Sequence, residues 1–337
     1  MSPRLLSLAA LCLAATASAS RRRSSLLSRG LPPSSNGLPT IGILSVPEAS
    51  ASSPCATLQA ESSCFSAFYS RWVMSAGARA VLLPYDAPPA VLAQLLDSVN
   101  GVLLTGGSLE DLGYQTPYMV AAAAVVAAAR AKADAGIFFP VHGTCQGMQV
   151  LALLAAGDQR VLSLNAFDAE NISLPLDVTW DGHHSSRLLS ADTAPPDVVA
   201  TLSSKPSTLN LHHDGVRVAD FEASAALAGF YILVSTNFDR KGAAFVSTME
   251  AWDYPITATQ WHPERPQFEW RAVGASHAAD TVRAMQYVAN FFVEDARRNN
   301  QTFTDLALLA QYSVFSYRLV GAPDAALSGY QWYVVTM

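Results

Sequence analysis

The segment Phe138-Phe139-Pro140-Val141-His142-Gly143-Thr144-Cys145-Gln146-Gly147-Met148-Gln149 decides how this chain is read. A short apolar run stops at a cysteine set between Gly143 and Gly147, and an apolar segment of helical length follows. That is the pattern of a nucleophile elbow, with Cys where the better-known Gly-x-Ser-x-Gly form has Ser. A nucleophile on a sharp strand-to-helix turn sits in a strained conformation, so its flanking residues must be small to avoid collisions. The first turn of the helix then aims free N–H groups, and the positive end of its dipole, at the sulfur. Both effects favour the thiolate, which is the attacking species. A lone cysteine is more often a small buried core residue. The paired glycines and the strand-like approach favour the catalytic reading.

On the N-terminal side of this turn, short apolar runs alternate with amphipathic segments. Residues 41–46 predict a first strand, 63–76 a helix closed by Gly77, and 79–84 a second strand. Residues 88–99 begin with prolines, which a first helical turn tolerates. Residues 101–105 predict a third strand ended by Gly106-Gly107, the Ala-rich stretch 117–135 a surface helix, and 137–141 the strand that delivers Cys145. Continuous apolar strands alternating with helices indicate a parallel sheet covered on both faces. The fold class expected is α/β: a three-layer α/β/α sandwich around a mainly parallel sheet, flavodoxin-like in plan. Right-handed crossovers bring the carboxyl ends of the strands to one edge, where ligands bind. Gly106-Gly107 and Cys145 both fall there. Shorter pieces at 174–179, 231–236, 244–249 and 256–260 predict antiparallel additions. Residues 276–299 predict a long helix with Val282, Met285, Val288, Phe292 and Ala296 in one buried stripe. The chain after Phe303 is expected to be irregular surface structure.

Of 337 residues, 50% are apolar and 14% charged, enough apolar content for one large core. A formal net charge of −6 with no dense Lys/Arg block argues against nucleic acid or an anionic membrane as partner. Arg4, the apolar run 5–15 and Ala17-Ser18-Ala19 predict a signal peptide over residues 1–19. An Arg-, Ser- and Pro-rich leader or propeptide, expected to be disordered, follows over 20–38. The catalytic domain is expected over 39–317 and a C-terminal tail over 318–337. The mature chain should then be soluble and lumenal or secreted. In such an oxidising compartment Cys55 and Cys64 are expected to pair, which leaves Cys145 as the reactive thiol. Asn171-Ile172-Ser173 and Asn300-Gln301-Thr302 are candidate glycosylation sequons.

A thiol nucleophile needs a base, and the base an orienting partner. Gln260-Trp261-His262-Pro263-Glu264 offers both, because residues i and i+2 of an extended segment project to one side. The pairs His183-His184 and His212-His213 lack metal-ligand spacing, so no metal and no cofactor are expected. One of His212 or His213 could face the cleft as a substrate contact. For a developing oxyanion, the backbone N–H of Gln146 is the natural first donor. The Gly106-Gly107 loop could bring a second, though two glycines also make a simple turn.

Gly143-Thr144-Cys145-x-Gly147 and Trp261-His262-Pro263-Glu264, in this order, resemble the class I glutamine amidotransferase superfamily. Within it they resemble the gamma-glutamyl hydrolase, or folylpolyglutamate hydrolase, family. The likeness spans about residues 40–317. It includes Ile41-Gly42-Ile43-Leu44, Ser75-Ala76-Gly77-Ala78-Arg79, residues 100–107, Ser247-Thr248-Met249-Glu250 and Ser276-His277-Ala278. The resemblance implies an α/β/α sandwich in a secreted, lysosomal or vacuolar protein that acts on poly-γ-glutamyl folates as small-molecule substrates. It implies that Cys145 attacks the γ-glutamyl amide carbon, that His262 handles the proton and that Glu264 orients His262. It places His212 in the substrate cleft and makes Gly107 and Gln146 the oxyanion donors; Gly106 and Gln149 are expected beside them as substrate contacts. Where the family usually has Trp, Leu and Glu, this chain has His142, Gln146 and Gln149. Gly-x-Cys-x-Gly-x-Gln is the glutaminase form of the motif, so a glutaminase stays open as an alternative, as does a binding protein with a degenerate site. A homodimer is left open as the assembly.

Overall fold

The computed structural model describes residues 31–47, 62–322 and 324–336. The expected signal peptide, leader residues 20–30 and Cys55 of the expected Cys55–Cys64 pair lie outside the described residues.

Eight strands form the central sheet. Their order across it is Arg79–Leu83, Thr40–Leu44, Gly101–Leu104, Val141–Thr144, Ile256–Thr259, Ala244–Ala251, Tyr231–Phe238 and Asp177–Val178. The first five run parallel to their neighbours. The last three add antiparallel pairs. Alternation of side chains along each strand builds two cores. Val81, Leu83, Val102 and Leu104 enter one core with the helices Pro89–Leu96, Pro117–Asp134 and Gln146–Ala156. Ala80, Leu82, Ile41, Ile43 and Leu103 enter the other with Ala67–Ser75, Pro196–Ser204 and Ala279–Ala296. The chain is the expected three-layer α/β/α sandwich. The Ala-rich helix buries only Tyr118, Met119, Ala121, Ala122, Val125 and Ala129 and shows its other side to solvent. In Ala279–Ala296, Met285, Val288, Phe292 and Ala296 are buried, while Val282 is half-buried at the edge of the stripe.

Four local expectations are corrected. The strand that delivers Cys145 is Val141–Thr144 rather than 137–141. Pro140 has no N–H for the ladder, and it contributes its carbonyl to the Val102 N–H (3.0 Å). Residues 63–66 lie in the strand Ser62–Ser66 rather than opening a helix; Ser66 then caps Ala67–Ser75 by accepting from the Phe68 N–H (3.3 Å). The expected strand 174–179 is split by Pro175 into Ala169–Leu174, which pairs with Thr208–His212, and Asp177–Val178. After Phe303 the described residues form regular elements rather than irregular structure. They form the helix Leu306–Tyr312 and the strands Arg318–Gly321 and Gln331–Thr336. Gln331–Thr336 pairs with Ser62–Ser66, and Val46–Pro47 completes a second, four-stranded sheet. These partners are distant in sequence, and local pattern does not report them.

Arg187 joins the antiparallel part of the sheet to the long helix. Its side chain is 2% exposed. Its Nε lies 2.9 Å from Glu250 Oε1, without hydrogen-bond alignment, and its Nη1 donates to Asp295 Oδ2 at 2.5 Å. Glu250 Oε2 also accepts from Ser186 Oγ (2.9 Å) and the Arg187 N–H (3.0 Å). Removing the cation strands two buried carboxylates, which typically costs about 3–5 kcal/mol. Arg187→Met should therefore lower the unfolding free energy, read from urea denaturation at neutral pH, by that order and move the midpoint down accordingly. The deficit should shrink as falling pH neutralises the carboxyls, and an unchanged midpoint would show that the cluster carries no such role.

Candidate active site

The sheet places Val141–Thr144 between Gly101–Leu104 and Ile256–Thr259, so the ends of three strands converge around Cys145. Cys145 has φ 53° and ψ −111°. A non-glycine residue held there stores about 1–3 kcal/mol of strain. The glycines on either side make the turn sterically accessible. A Cβ on Gly143 would lie 2.7 Å from the Gly147 carbonyl oxygen, and one on Gly147 would lie 2.3 Å from the Leu104 carbonyl oxygen. The Cys145 N–H donates to the Thr259 carbonyl at 2.7 Å, which pins the elbow to the strand that leads to His262.

Ile256–Thr259 pairs in register with Val141–Thr144, Thr259 opposite Thr144, and the chain then continues to His262. The His262 N–H donates to the Leu209 carbonyl (2.9 Å), and buried Trp261 donates its indole N–H to Thr248 Oγ1 (3.1 Å). Nδ1 of His262 lies 2.7 Å from Glu264 Oε1, with both side chains buried. The ring therefore presents Nε2, which has no hydrogen-bond partner. Cys145 and His262 flank one point: a Cβ on Gly106 would sit 3.2 Å from Cys145 Cβ and 3.1 Å from His262 Cε1. Burial disfavours charge on His262, yet the Glu264 carboxylate and the Cys145 sulfur outweigh it and raise the imidazole to about 9. Burial likewise opposes charge on Glu264. Its bond to His262 and the nearby Arg265 hold the carboxyl below the usual range. Arg265 Nε is 3.5 Å from Glu264 Oε1, and its Nη1 donates to Glu269 (2.8 Å) and to the Tyr330 hydroxyl (2.6 Å).

The Gln146 N–H lies ahead of the intrahelical ladder and faces the turn. The Gly106 N–H is already engaged with the Tyr69 hydroxyl (2.7 Å), which leaves Gly107 as the exposed glycine of the loop. The Gln146 side chain ties this loop to the elbow: Oε1 accepts from the Leu109 N–H (3.2 Å) and Nε2 donates to the Leu109 carbonyl (2.9 Å). A Cβ on Gly107 would be 2.6 Å from Gln146 Oε1, so the loop approaches this closely because it has none.

Of the two histidine pairs, only His212 comes to the site. It is buried, its Nδ1 contacts the Asp214 carbonyl (2.9 Å), and its Nε2 is unpartnered. Burial first, and then the charge of His262, lower it to about 4 against the bond to Asp214. His213 points outward, 3.9 Å from Glu170, and His184 stacks on exposed Trp180. Among the described residues no group of His, Cys, Asp and Glu could hold a metal ion. His142 fills an aromatic position in the core between Trp72 and Phe292, with centroids at 5.5 and 5.7 Å. Gln149, expected among substrate contacts, is 3% exposed and bonds inward to Asp214 and Gln260. Tyr69, Gln260, Arg265 and the Gln146 side chain escape sequence reading. Tyr69 hides in a helix of apolar neighbours, and the others flank motifs in which a different residue draws the eye.

The description "Peptidase C26" matches residues 39–264. Gamma-glutamyl hydrolase B of Dictyostelium discoideum is 31% identical over 283 residues, covering 84% of this chain and 79% of that protein. Gamma-glutamyl hydrolase 1 of Arabidopsis thaliana is 33% identical over 267 residues, covering 79% and 74%. The gamma-glutamyl hydrolase of Homo sapiens is 35% identical over 253 residues, covering 73% and 77%. A match that runs from the first strand of the sheet to Glu264 shows that this chain belongs to the peptidase C26 family.

Proposed function

We propose that the chain is a thiol hydrolase that cleaves γ-glutamyl amide bonds of folate or antifolate polyglutamates through a thioester on Cys145. The observation that carries the reading is the buried His262–Glu264 pair, whose free Nε2 sits beside a cysteine on a strained elbow. The names of the relatives at 31–35% identity supply the bond type.

In the reaction, the Cys145 thiolate adds to the γ-carbonyl carbon, and the carbonyl electrons move onto oxygen. The N–H groups of Gln146 and Gly107 receive that oxyanion. Its collapse breaks the C–N bond, and His262 gives its Nε2 proton to the departing amine. The thioester remains. Neutral His262 then takes a proton from water, the hydroxide adds to the thioester carbon, and the thiolate leaves. Glu264 holds Nδ1–H throughout, which fixes the tautomer that leaves Nε2 to act. His212 faces the same site with an unprotonated nitrogen and serves as a substrate contact.

The N-terminal segment 1–19 supports entry into the secretory pathway, with an extracellular, lysosomal or vacuolar destination. Among the described residues no helix is long and apolar enough to cross a membrane. Asn171 and Asn300 are exposed, as glycosylation of their sequons requires. A mass shift on glycosidase treatment tests that.

Cys145→Ala should fold normally and lose hydrolysis of a pteroyl pentaglutamate by at least about a thousandfold; retention of most activity would reject the mechanism. Glu264→Gln keeps the size of the side chain but removes the charge that supports the imidazolium. It should lower kcat by about a hundredfold or more. The pH dependence has a definite sign. His262 is raised, so the proton for the leaving amine is present below about 9 and is lost as pH rises through that value. Turnover should persist below pH 6.5, where an ordinary imidazole is already charged, and should fall through the alkaline limb. A sharp acid loss near pH 6.5 with a flat alkaline limb would contradict the coupled pair.

A further inference from the structure

Behind Cys145 lies a chain of amides that the reaction above does not use. Gln260 is 0% exposed, and its Nε2 is 3.6 Å from Cys145 Sγ, a donor contact for an atom as large as sulfur. Its Oε1 is 3.3 Å from Gln149 Nε2, and the same Gln149 nitrogen is 3.0 Å from the Asp214 carbonyl oxygen. We propose that Gln149 sets the direction of this relay and so keeps an N–H of Gln260 on the sulfur, which makes Gln149 a positioning residue for the nucleophile.

The direction follows from one backbone group. A carbonyl oxygen only accepts, so the Gln149 atom that faces Asp214 is its nitrogen. That nitrogen's second N–H points to Gln260, so the Gln260 atom that receives it is oxygen. The Gln260 amide can then present only its NH2 to Cys145. The same Asp214 carbonyl accepts from His212 Nδ1 (2.9 Å), which puts the histidine proton on Nδ1 and leaves Nε2 as an acceptor. One carbonyl therefore orders three side chains: a donor turned to the sulfur, a donor behind it, and an acceptor beside the substrate. All three side chains are buried, where an N–H on a sulfur anion is worth more than in water.

Glutamate at 149 would reverse the order. It has no N–H for Asp214 or for Gln260 Oε1, and it would accept from the Gln260 NH2. The amide would turn over and direct its oxygen at the sulfur. Gln149 is thus more than a neutral substitute: in this chain it determines which end of Gln260 meets the nucleophile. The charged and titratable groups around the sulfur are Tyr69 and His262, the latter with Glu264, Arg265 and His212 around it. None of them is changed by substitution at 149 or 260.

The inference rests on Cys145 being the nucleophile, but its test needs no substrate. Alkylation of Cys145 by iodoacetamide is followed by mass mapping on the full chain at pH 5 and at pH 9, for Gln149→Met, Gln260→Met and the double variant. Loss of one hydrogen bond to a charged group is about a tenfold effect. Each single variant should therefore slow alkylation at pH 5 by about tenfold and have much less effect at pH 9. The double variant should be no slower than Gln260→Met, because Gln149 acts through Gln260. A merely structural Gln149 would lower the melting temperature and leave the ratio of the two rates unchanged. That result, or single losses that multiply to about a hundredfold in the double variant, overturns the relay. If Gln149→Met does not fold, Gln149→Leu is read in its place: the same slowing at pH 5 supports the relay, and a wild-type rate overturns it. A wild-type Cys145 inert to the reagent would instead overturn the nucleophile itself.

Discussion

Everything at the candidate site depends on the in-register pairing of Val141–Thr144 with the strand on either side. Gly101–Leu104 ends at the glycine loop, Val141–Thr144 ends at the elbow, and Ile256–Thr259 leads into the histidine segment. Parallel strands in register finish at the same height, so three groups far apart in sequence arrive at one edge without any loop having to reach. The bond from the Cys145 N–H to the Thr259 carbonyl then locks the turn to the strand that carries the base. A slip of one residue would reverse the facing of every side chain on the strand. In one direction it would also put Thr105, in place of Gly106, beside the cysteine.

Burial gives this arrangement its electrical character. His262 and Glu264 are almost wholly withdrawn from solvent, so neither can hold its charge without the other. Arg265 extends the alternation of sign, and Glu269 with the Tyr330 hydroxyl fixes Arg265 in turn. Arg187, between Glu250 and Asp295, repeats the device between the sheet and the long helix, where it joins layers. The two clusters differ in what they leave unpartnered. Around Arg187 the unpartnered atoms are guanidinium nitrogens; around His262 they include its ring Nε2, beside the sulfur, and Glu264 Oε2.

The architecture and the central pair were legible in sequence because their signals are local. Gly143 and Gly147 announce the elbow through sterics, and the alternation of apolar runs with helices announces the sheet. His262 and Glu264 announce themselves by two-residue spacing. What escaped was set by contacts between remote segments. Residues 63–66 look helical until Gln331–Thr336 is known to pair with them. The Gln146 side chain gives no signal of its own in the sequence, because its partner, the Leu109 backbone, is on another loop. Gln149 read as a substrate residue by analogy, and its inward bonds to Asp214 and Gln260 could not be seen without the fold.

The last strand of the second sheet has a consequence for biosynthesis. Tyr330 precedes it directly and holds the guanidinium that stands behind Glu264, while Gln331–Thr336 stitches to the segment just before the Tyr69 helix. A ribosome-bound chain that already contains Cys145, His262 and Glu264 still lacks this brace until residue 330 has been synthesised and has folded back. The hydrolytic centre therefore matures late, after the nucleophile has been made, and a nascent chain carries the thiol through translation before its full setting exists.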